Sequence, residues 1–576
     1  MKRRSFIGMI GATGGLLATA PLIASPVGAN AETVKRNKRN KRKAEREMKA
    51  DLVIAGGGIG GCACALGALR NGLSVIMTEE TDWIGGQITQ QGVPLDEHRW
   101  IETHGATQLY REFRSALRQY YMRNYPLTEE AAAKENLNPG DGAVSRLCVE
   151  PKVALAVLNA MFASYISSGQ LTLLLEHKAT AADVDGSRVK GLEMVNRQNG
   201  EAISLTAPYF VDATEIGDLL PLTGTEYVTG TESKKDTGEL HAPEVGDPEN
   251  EQAFTLCFAL DYRPGENHVI DKPANYDFWR SYVPDISPAW PGRLLDLTYS
   301  TPSTLKPRTL GFHPEGGRTG DVMNLWNYRK IINRHNFAPG FYAGDVTVVN
   351  WPQNDYLLGR LVDVSEKEFQ KHVEGARQLN LSLVYWLQTE VERPDGGAGW
   401  PGIRLRKDVM GTADGMAKYP YIREGRRIKA LFTVLEEHVG VENRTLVKGK
   451  DAAATCESFY DSIGVGSYYL DLHPSTKGDN YIDLPSLPFE VPLGALIPQR
   501  MQNLLPASKN IGTTHITNGC YRLHPVEWNI GEVVGMLVKF VSKKQVEPRD
   551  VRENKKLLAD FQQFIQSQGV EIKWPA

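Results

Sequence analysis

Cysteine is scarce in this sequence, six among 576 residues. So thin a supply excludes a disulfide scaffold. No C-x-x-C-H run occurs, which removes a covalent haem site. No cluster of His, Cys, Asp and Glu shows metal-ligand spacing. Cys62 and Cys64 make a C-x-C. Metal binding or redox chemistry is open to such a pair, but among Ala and Gly on a helix they read as small residues packed on a sheet. An excess of charge is missing too. Lys and Arg number 65 against 69 Asp and Glu, a net charge of −4, which argues against nucleic acid as a partner. No apolar run is long enough for a transmembrane segment. What remains is an ordinary globular composition on a chain long enough for two closely packed domains.

The first residues stand outside the fold. Met1-Lys-Arg-Arg-Ser-Phe-Ile-Gly8 is basic, a mildly apolar run rich in Gly, Ala and Thr continues to Ala24, and Ala29-Asn30-Ala31 is an A-x-A cleavage site. That is the layout of a signal peptide. Arg3-Arg4-x-Phe6-Ile7 resembles the twin-arginine export signal, although Lys2 and Gly8 depart from its usual flanks. The alternative is an ordinary secretory signal. Both imply a periplasmic or secreted protein. Residues 35–49 are strongly basic and read as a solvated linker.

The richest stretch follows. Leu52 to Ala55 is an apolar strand-like run that leads into G-x-G-x-x-G at Gly56, Gly58 and Gly61. A helical run of small residues comes next, from Cys62 to Arg70. Asn71-Gly72 signals a turn, and Ser74 to Thr78 reads as a second buried strand ending at Glu79. This is the βαβ dinucleotide fingerprint in its required context. The first glycine permits the tight turn, the second lets the backbone approach a pyrophosphate, and the third packs helix on strand. The helix N-terminus offers N–H groups and a positive dipole end to the phosphates. Glu79 stands roughly 20 residues on, where an acidic side chain accepts from the ribose hydroxyls. Alone, these residues indicate a dinucleotide, NAD as well as FAD.

Three further motifs narrow this. Gly85-Gly86 lies just past the second strand. A β-meander, with turns at Asp185-Gly186 and Asn199-Gly200, ends at Asp212-Ala213-Thr214-Glu215. A last βα unit runs from Asn503 through Leu504–Ala507 to a helix that includes Gly531–Phe540. With these motifs the chain resembles the FAD-dependent oxidoreductases that have a glutathione-reductase type of FAD domain, in their fumarate-reductase-like branch. The resemblance implies FAD as cofactor. It puts Gln87, Thr89, Gln90 and Gln91 against the isoalloxazine ring, Ala213 and Thr214 near the adenosine end, and the last helix N-terminus toward the pyrimidine edge of the flavin. Two positions depart from the pattern. Glu215 replaces the glycine of an A-T-G motif, and Lys509-Asn510 replaces the usual acidic ribitol-binding residue. The twin-arginine route fits, because a cofactor loaded in the cytoplasm requires export of the folded protein.

The expected fold is α/β, a Rossmann-like FAD-binding domain with a parallel central sheet and β-meander, plus an inserted α+β substrate domain. The expected division is signal peptide 1–31, basic linker 32–49, first part of the FAD-binding domain 50–245, substrate or cap domain 246–495, closing part 496–545, and C-terminal helix and tail 546–576. Residues 107–123 read as an amphipathic surface helix and 364–390 as a long helix. Asn350-Trp-Pro-Gln-Asn-Asp-Tyr356, with Trp326, Tyr328, Tyr385, Trp386 and Gln388, mixes flat faces with amides. Such a mixture suits a sugar-like substrate, and equally a core of aromatics with satisfied polar tips.

Arg423 and Arg427 lie four apart, a spacing that shares a face if the segment is helical, and an arginine fork binds a carboxylate or an oxyanion. His515, Arg522 and His524 sit between the last strand and helix, where the family places groups that face flavin and substrate. A histidine there can take a hydroxyl proton while hydride goes to flavin N5, and an arginine can anchor the substrate. The candidate catalytic set is therefore His515, His524, Arg522 and Arg423. The candidate cofactor set is Gly56, Gly58, Gly61, Glu79, Gly85, Gly86, Gln87, Gln91, Ala213, Thr214, Asn510 and Gly531. The expected partners are a small-molecule substrate and an electron acceptor that the sequence does not name. The leading expectation is oxidation of an alcohol carbon, as in a carbohydrate or hydroxy acid. The alternatives are reduction of an unsaturated acid and a non-catalytic nucleotide- or carbohydrate-binding protein.

Overall fold

A continuous apolar run marks a strand that is covered on both faces, as parallel sheets are. Leu52–Ala55 is such a run and is wholly buried. In the computed structural model it is the middle strand of a five-stranded parallel sheet, in the order Leu504–Pro506, Tyr209–Asp212, Leu52–Ala55, Val75–Glu79, Leu171–Leu175. The structure describes residues 46–316, 322–449 and 455–575. The expected signal peptide and linker residues 32–45 lie outside the described residues. From Ala44 onward the chain forms one compact unit, and the expected domain limits at 245 and 495 fall within it.

The meander is as expected. Strands His177–Asp185, Arg188–Asn196 and Ala202–Thr206 pair antiparallel around the two Gly turns. The end of the basic linker is not a free tether, however. Arg46–Lys49 is a strand that pairs in parallel with Ala202–Thr206. An open sheet edge supplied its hydrogen bonds, and Met48 packs on the core beneath. The substrate-side region carries a four-stranded antiparallel sheet, Lys330–Ile332, Val346–Val349, Phe258–Tyr262 and Ile403–Leu405. The long helix Glu366–Thr389 packs beside it, started by a Ser365 hydroxyl that accepts from Glu368 N–H.

The helix Gln108–Asn124 turns out less superficial than its arginines suggest. Arg114 and Arg118 are buried, because Glu97 and Glu102 meet them in short ion pairs of 2.7–2.8 Å. Two carboxylates contributed by the preceding loop made an inward-facing guanidinium cheaper than a solvated one.

One helix pair holds the cofactor half together. The fingerprint helix Ile59–Leu69, buried along its whole length, lies against the closing helix His524–Lys544. Their backbones touch. A Cβ on Gly531 would stand 1.9 Å from Gly60 O, one on Gly535 2.2 Å from Cys64 O, and one on Gly67 2.4 Å from Glu532 O. Cys62 and Cys64 are buried in this packing, in keeping with a structural role. Gly531→Ala is therefore expected to lower stability by about 1–3 kcal/mol through overpacking. Gly200→Asn, at φ +74° in open space, should stay within about 0.5 kcal/mol of the parent. Urea unfolding of the two variants checks both values.

Candidate active site

The glycine loop is shaped by what faces it. Gly56 has φ +98°, and a Cβ there would stand 2.2 Å from Ala213 O. A Cβ on Gly61 would stand 2.1 Å from Gly56 O, so the third glycine does pack helix on strand. Gly58 precedes the fingerprint helix, whose first-turn N–H groups have no intrahelical acceptor. Gly85 N–H donates to Gly57 O at 2.7 Å. That bond lays Gly85 and Gly86, at φ +110° and +55°, over the loop.

Glu79 closes the adenosine side. Its Oε2 accepts from Gly57 N–H at 2.9 Å, and its Oε1 accepts from Thr81 N–H at 2.9 Å and Gln90 Nε2 at 3.0 Å. Burial, with Glu80 adjacent, pushes its carboxyl up to about 7. It lines a pocket with Glu80, Ala213, Thr214 and Asp218. Lys178 lines the same pocket and pairs with Glu80 at 3.3 Å, and the carboxyl of Glu79 suits a ribose diol. Thr214 is fixed by donating its N–H and hydroxyl to Asp212 Oδ1, at 3.0 and 2.7 Å.

The two departures from the family pattern prove to be one ion pair. Lys509 Nζ lies 2.5 Å from Glu215 Oε2, with both side chains buried. The other oxygen of Glu215 would be 3.0 Å from a Cβ on Gly58 and 2.9 Å from one on Gly86. A carboxylate therefore sits at the glycine cradle, and a buried ammonium balances it. Burial works to lower the Lys509 pKa, but Glu215 and Glu527 more than offset this and hold it above its usual value. Asn510 braces its own loop, accepting from Ser508 N–H at 3.1 Å and donating to Asp212 O at 3.0 Å. Gly531 is not at a helix end. It lies inside the closing helix against Gly60, so close helix contact accounts for it.

Past the glycines, Gln87 Nε2 donates to Arg522 O at 3.0 Å and to Glu527 Oε2 at 2.5 Å. Arg522 faces the other way with its guanidinium, into a cavity of about 380 Å³. Arg329 and Arg423 also line this cavity. Each arginine is held by a carboxylate, Arg522 by Asp471 at 2.8 Å, Arg423 by Asp355 at 3.1 Å, and Arg329 by Asp96 at 3.3 Å. Asn350, Trp351 and Tyr328 share the wall. Other aromatics and amides of that sequence region serve packing instead. Tyr356 meets His372 at 3.1 Å, and Gln388 donates to Ile403 O at 2.8 Å.

Arg423 and Arg427 do not share a helix face. The segment before the short strand Arg427–Ile428 is irregular and not helical, and the two side chains go to different partners. Arg427 goes to Glu424 and Glu232. His515 opens the helix His515–Tyr521 and pairs with Glu424 at 2.8 Å, away from the cavity lining. Burial works to lower its pKa, but Glu424 raises it overall. His524 is fully buried, and burial pushes its imidazole down to about 4. Its Nδ1 accepts from Asp96 N–H at 3.1 Å, so in the neutral ring Nε2 carries the proton. The structure thus brings Arg423 and Arg522 together at the cavity and keeps His524 one residue behind its wall. Sequence reasoning missed Asp96, Arg329, Asp471 and His473. Asp471 and His473, two positions apart at a strand end, carried the one usable signal, because that spacing puts both on one face.

A family model described as "FAD dependent oxidoreductase" matches residues 51–565. The chain belongs to this family. No curated protein matches it. Among solved structures it is similar to the quinol fumarate reductase FrdA of E. coli, at 11% identity, 91% of this chain and 74% of that one, TM-score 0.32. It is similar to the p-nitrophenol 4-monooxygenase PnpA of Pseudomonas putida DLL-E4, at 9% identity, 92% and 91%, TM-score 0.34. It also matches L-proline dehydrogenase of P. horikoshii, at 15% identity over 32% of this chain and only 24% of that one, TM-score 0.17.

The flavoprotein's own side chains fit FAD. Buried polar atoms are normally hydrogen-bonded. Yet Gln87 Oε1, Gln90 Oε1, both amide atoms of Gln91 and His524 Nε2 are buried without a partner among the described residues. Gln87, Gln91 and His524 suit the polar edge of an isoalloxazine, while the glycine loop suits the pyrophosphate and Glu79 the ribose. Gln90, expected at the isoalloxazine, instead donates to Glu79 and lines the pocket on that side. Among the described residues no group of three or more His, Cys, Asp or Glu could hold a metal ion. The Lys509–Glu215 pair sets a test. Lys509→Met alone leaves a buried carboxylate beside the cradle and should weaken FAD binding at least tenfold, about 1.4 kcal/mol or more. Lys509→Met with Glu215→Gly should recover most of the loss. Fluorescence titration of apoprotein with FAD measures both.

Proposed function

We propose that the flavoprotein is an exported dehydrogenase or oxidase that removes hydride from an alcohol carbon of a polar substrate, a carbohydrate or a hydroxy acid. The observation that carries this reading is Arg522, whose carbonyl holds the flavin-side Gln87 and whose guanidinium lines the 380 Å³ cavity. A flavin bound beside Gln87 would share this wall with the cavity. A bound flavin supplies the hydride acceptor. The chain supplies the rest. Arg522 and Arg423 offer N–H groups that orient a substrate oxygen. Tyr328 and Trp351 give it flat apolar faces.

Export is supported by the basic start, the apolar run and the A-x-A site of the first 31 residues. Replacing both Arg3 and Arg4 with Lys should leave full-length protein in the cytoplasm, as fractionation and immunoblotting would report. An ordinary secretory signal would tolerate the change.

Purified protein should be yellow. Under anaerobic conditions a sugar or hydroxy acid should bleach the flavin. Arg522→Met should keep the flavin but slow bleaching about 10–100-fold, the worth of a hydrogen bond from a charged donor. Re-oxidation of reduced protein by unsaturated acids, without bleaching by any alcohol, would replace this reading with a reductase.

A further inference from the structure

The cavity contains a histidine that the sequence did not single out. His473 is the histidine among its lining residues. Its Nδ1 lies 2.6 Å from Asp355 Oδ2. Asp355 is buried, accepts from the Thr255 hydroxyl at 2.6 Å and pairs with Arg423 at 3.1 Å. Burial works to raise this carboxyl, but Arg423 and His473 together hold it below its usual range. An ionised aspartate on Nδ1 fixes the proton there and leaves Nε2 with a free lone pair. The His473 backbone N–H is held as well, by Gln252 Oε1 at 3.1 Å. The ring packs on Tyr481, and Nε2 stands 3.9 Å from Asp471 Oδ2. A base requires this arrangement, one nitrogen oriented by a carboxylate and the other turned to the substrate space.

The charges around it restrict what it serves. Arg329, Arg423 and Arg522 each have a carboxylate partner, and Asp483 adds a further acid to the wall. Among the described lining residues, then, no arginine stands without a carboxylate to receive an anion. Donors and acceptors are mixed. Asn350 Nδ2, Trp351 Nε1 and the Nε atoms of the three arginines are buried without partners, while Asp471 and Asp483 only accept when ionised. A hydroxyl group both donates and accepts and satisfies such a wall. A carboxylate accepts only, and would face Asp471 and Asp483 with like charge.

Resting on the oxidation reading above, we propose that the substrate is an uncharged polyol or sugar and that His473 takes the proton of the hydroxyl being oxidised. The O–H bond breaks with its proton going to His473 Nε2. The C–H bond breaks with its electron pair leaving as hydride to the oxidised flavin. The carbinol becomes a carbonyl.

Two measurements test this. Anaerobic flavin bleaching by the native protein would be compared between neutral probes (glucose, galactose, myo-inositol, glycerol) and acids (gluconate, galacturonate, lactate, malate). Neutral probes should bleach the flavin, and the acids should do so at least tenfold more slowly. Bleaching by acids but by no neutral probe overturns the substrate class and leaves the oxidation reading standing. Bleaching by neither set, with re-oxidation of reduced protein by fumarate, overturns both. For the base, His473→Ala should keep bound flavin and slow bleaching about 10²–10⁴-fold, and added imidazole should restore part of the rate. Bleaching at the parental rate in His473→Ala, or a loss in a flavin-loaded variant that imidazole does not rescue, overturns the assignment. If His473→Ala does not fold, Asp355→Asn replaces it, and an unchanged bleaching rate there has the same meaning.

Discussion

The contact between two backbones is the constraint on which the rest depends. Gly60 and Gly531 leave no room for a methyl group between the fingerprint helix and the closing helix, and Gly67 and Gly535 repeat the condition further along. Helices that carry side chains at the contact pack with their axes about 8–10 Å apart. Removing the side chains lets the main chains touch. This closeness brings the closing helix start beside the glycine loop, so that Glu527 reaches Gln87 and Lys509 lies near it. It also brings Arg522, just before that helix, between Gln87 and the cavity. One packing requirement between two helices thus positions residues at the glycine loop and at the cavity.

Buried charge is the second organising theme. Several buried ionised groups are tolerated because an opposite charge lies within hydrogen-bonding reach, whereas buried acids held only by neutral donors, such as Glu79, are pushed toward the uncharged form. Glu215 and Lys509 illustrate the rule. Either alone would be costly in the cradle of an anionic cofactor, and together they form a locally neutral unit. The cavity follows the same rule three times, with arginines tied to Asp96, Asp355 and Asp471. Pairing removes net charge but leaves individual N–H and oxygen atoms unspent. That makes a surface that discriminates by hydrogen-bond direction more than by charge.

Much of the cofactor half was legible in the chain. The strand Leu52–Ala55, the tight glycine turn, the helix after it and the meander turns are all local patterns, and each took the expected form. The substrate half was less so. Its aromatics divide between cavity wall and core, and a tryptophan looks the same in sequence whether one face meets a ligand or a leucine. The linker end became a strand because an edge was there to receive it, which nothing in Arg46–Lys49 announces. The Arg423–Arg427 spacing suggested a shared face only on the assumption of a helix, and the backbone there is not helical.

By itself, the sequence determined the family, the dinucleotide loop and the order of elements around it. These follow from turn geometry, apolar periodicity and glycine's missing side chain, which act over a few neighbouring residues. Only the tertiary structure decided which histidine faces the cavity and which acid holds each buried base. Lys509 and Glu215 are 294 positions apart, Arg329 and Asp96 233, Arg423 and Asp355 68. Residue type along the chain carries no record of such distances. The pairings exist because a low-dielectric interior makes an unpaired charge costly, so that these arginines and Lys509 stay charged beside an acid, wherever in the chain that acid lies.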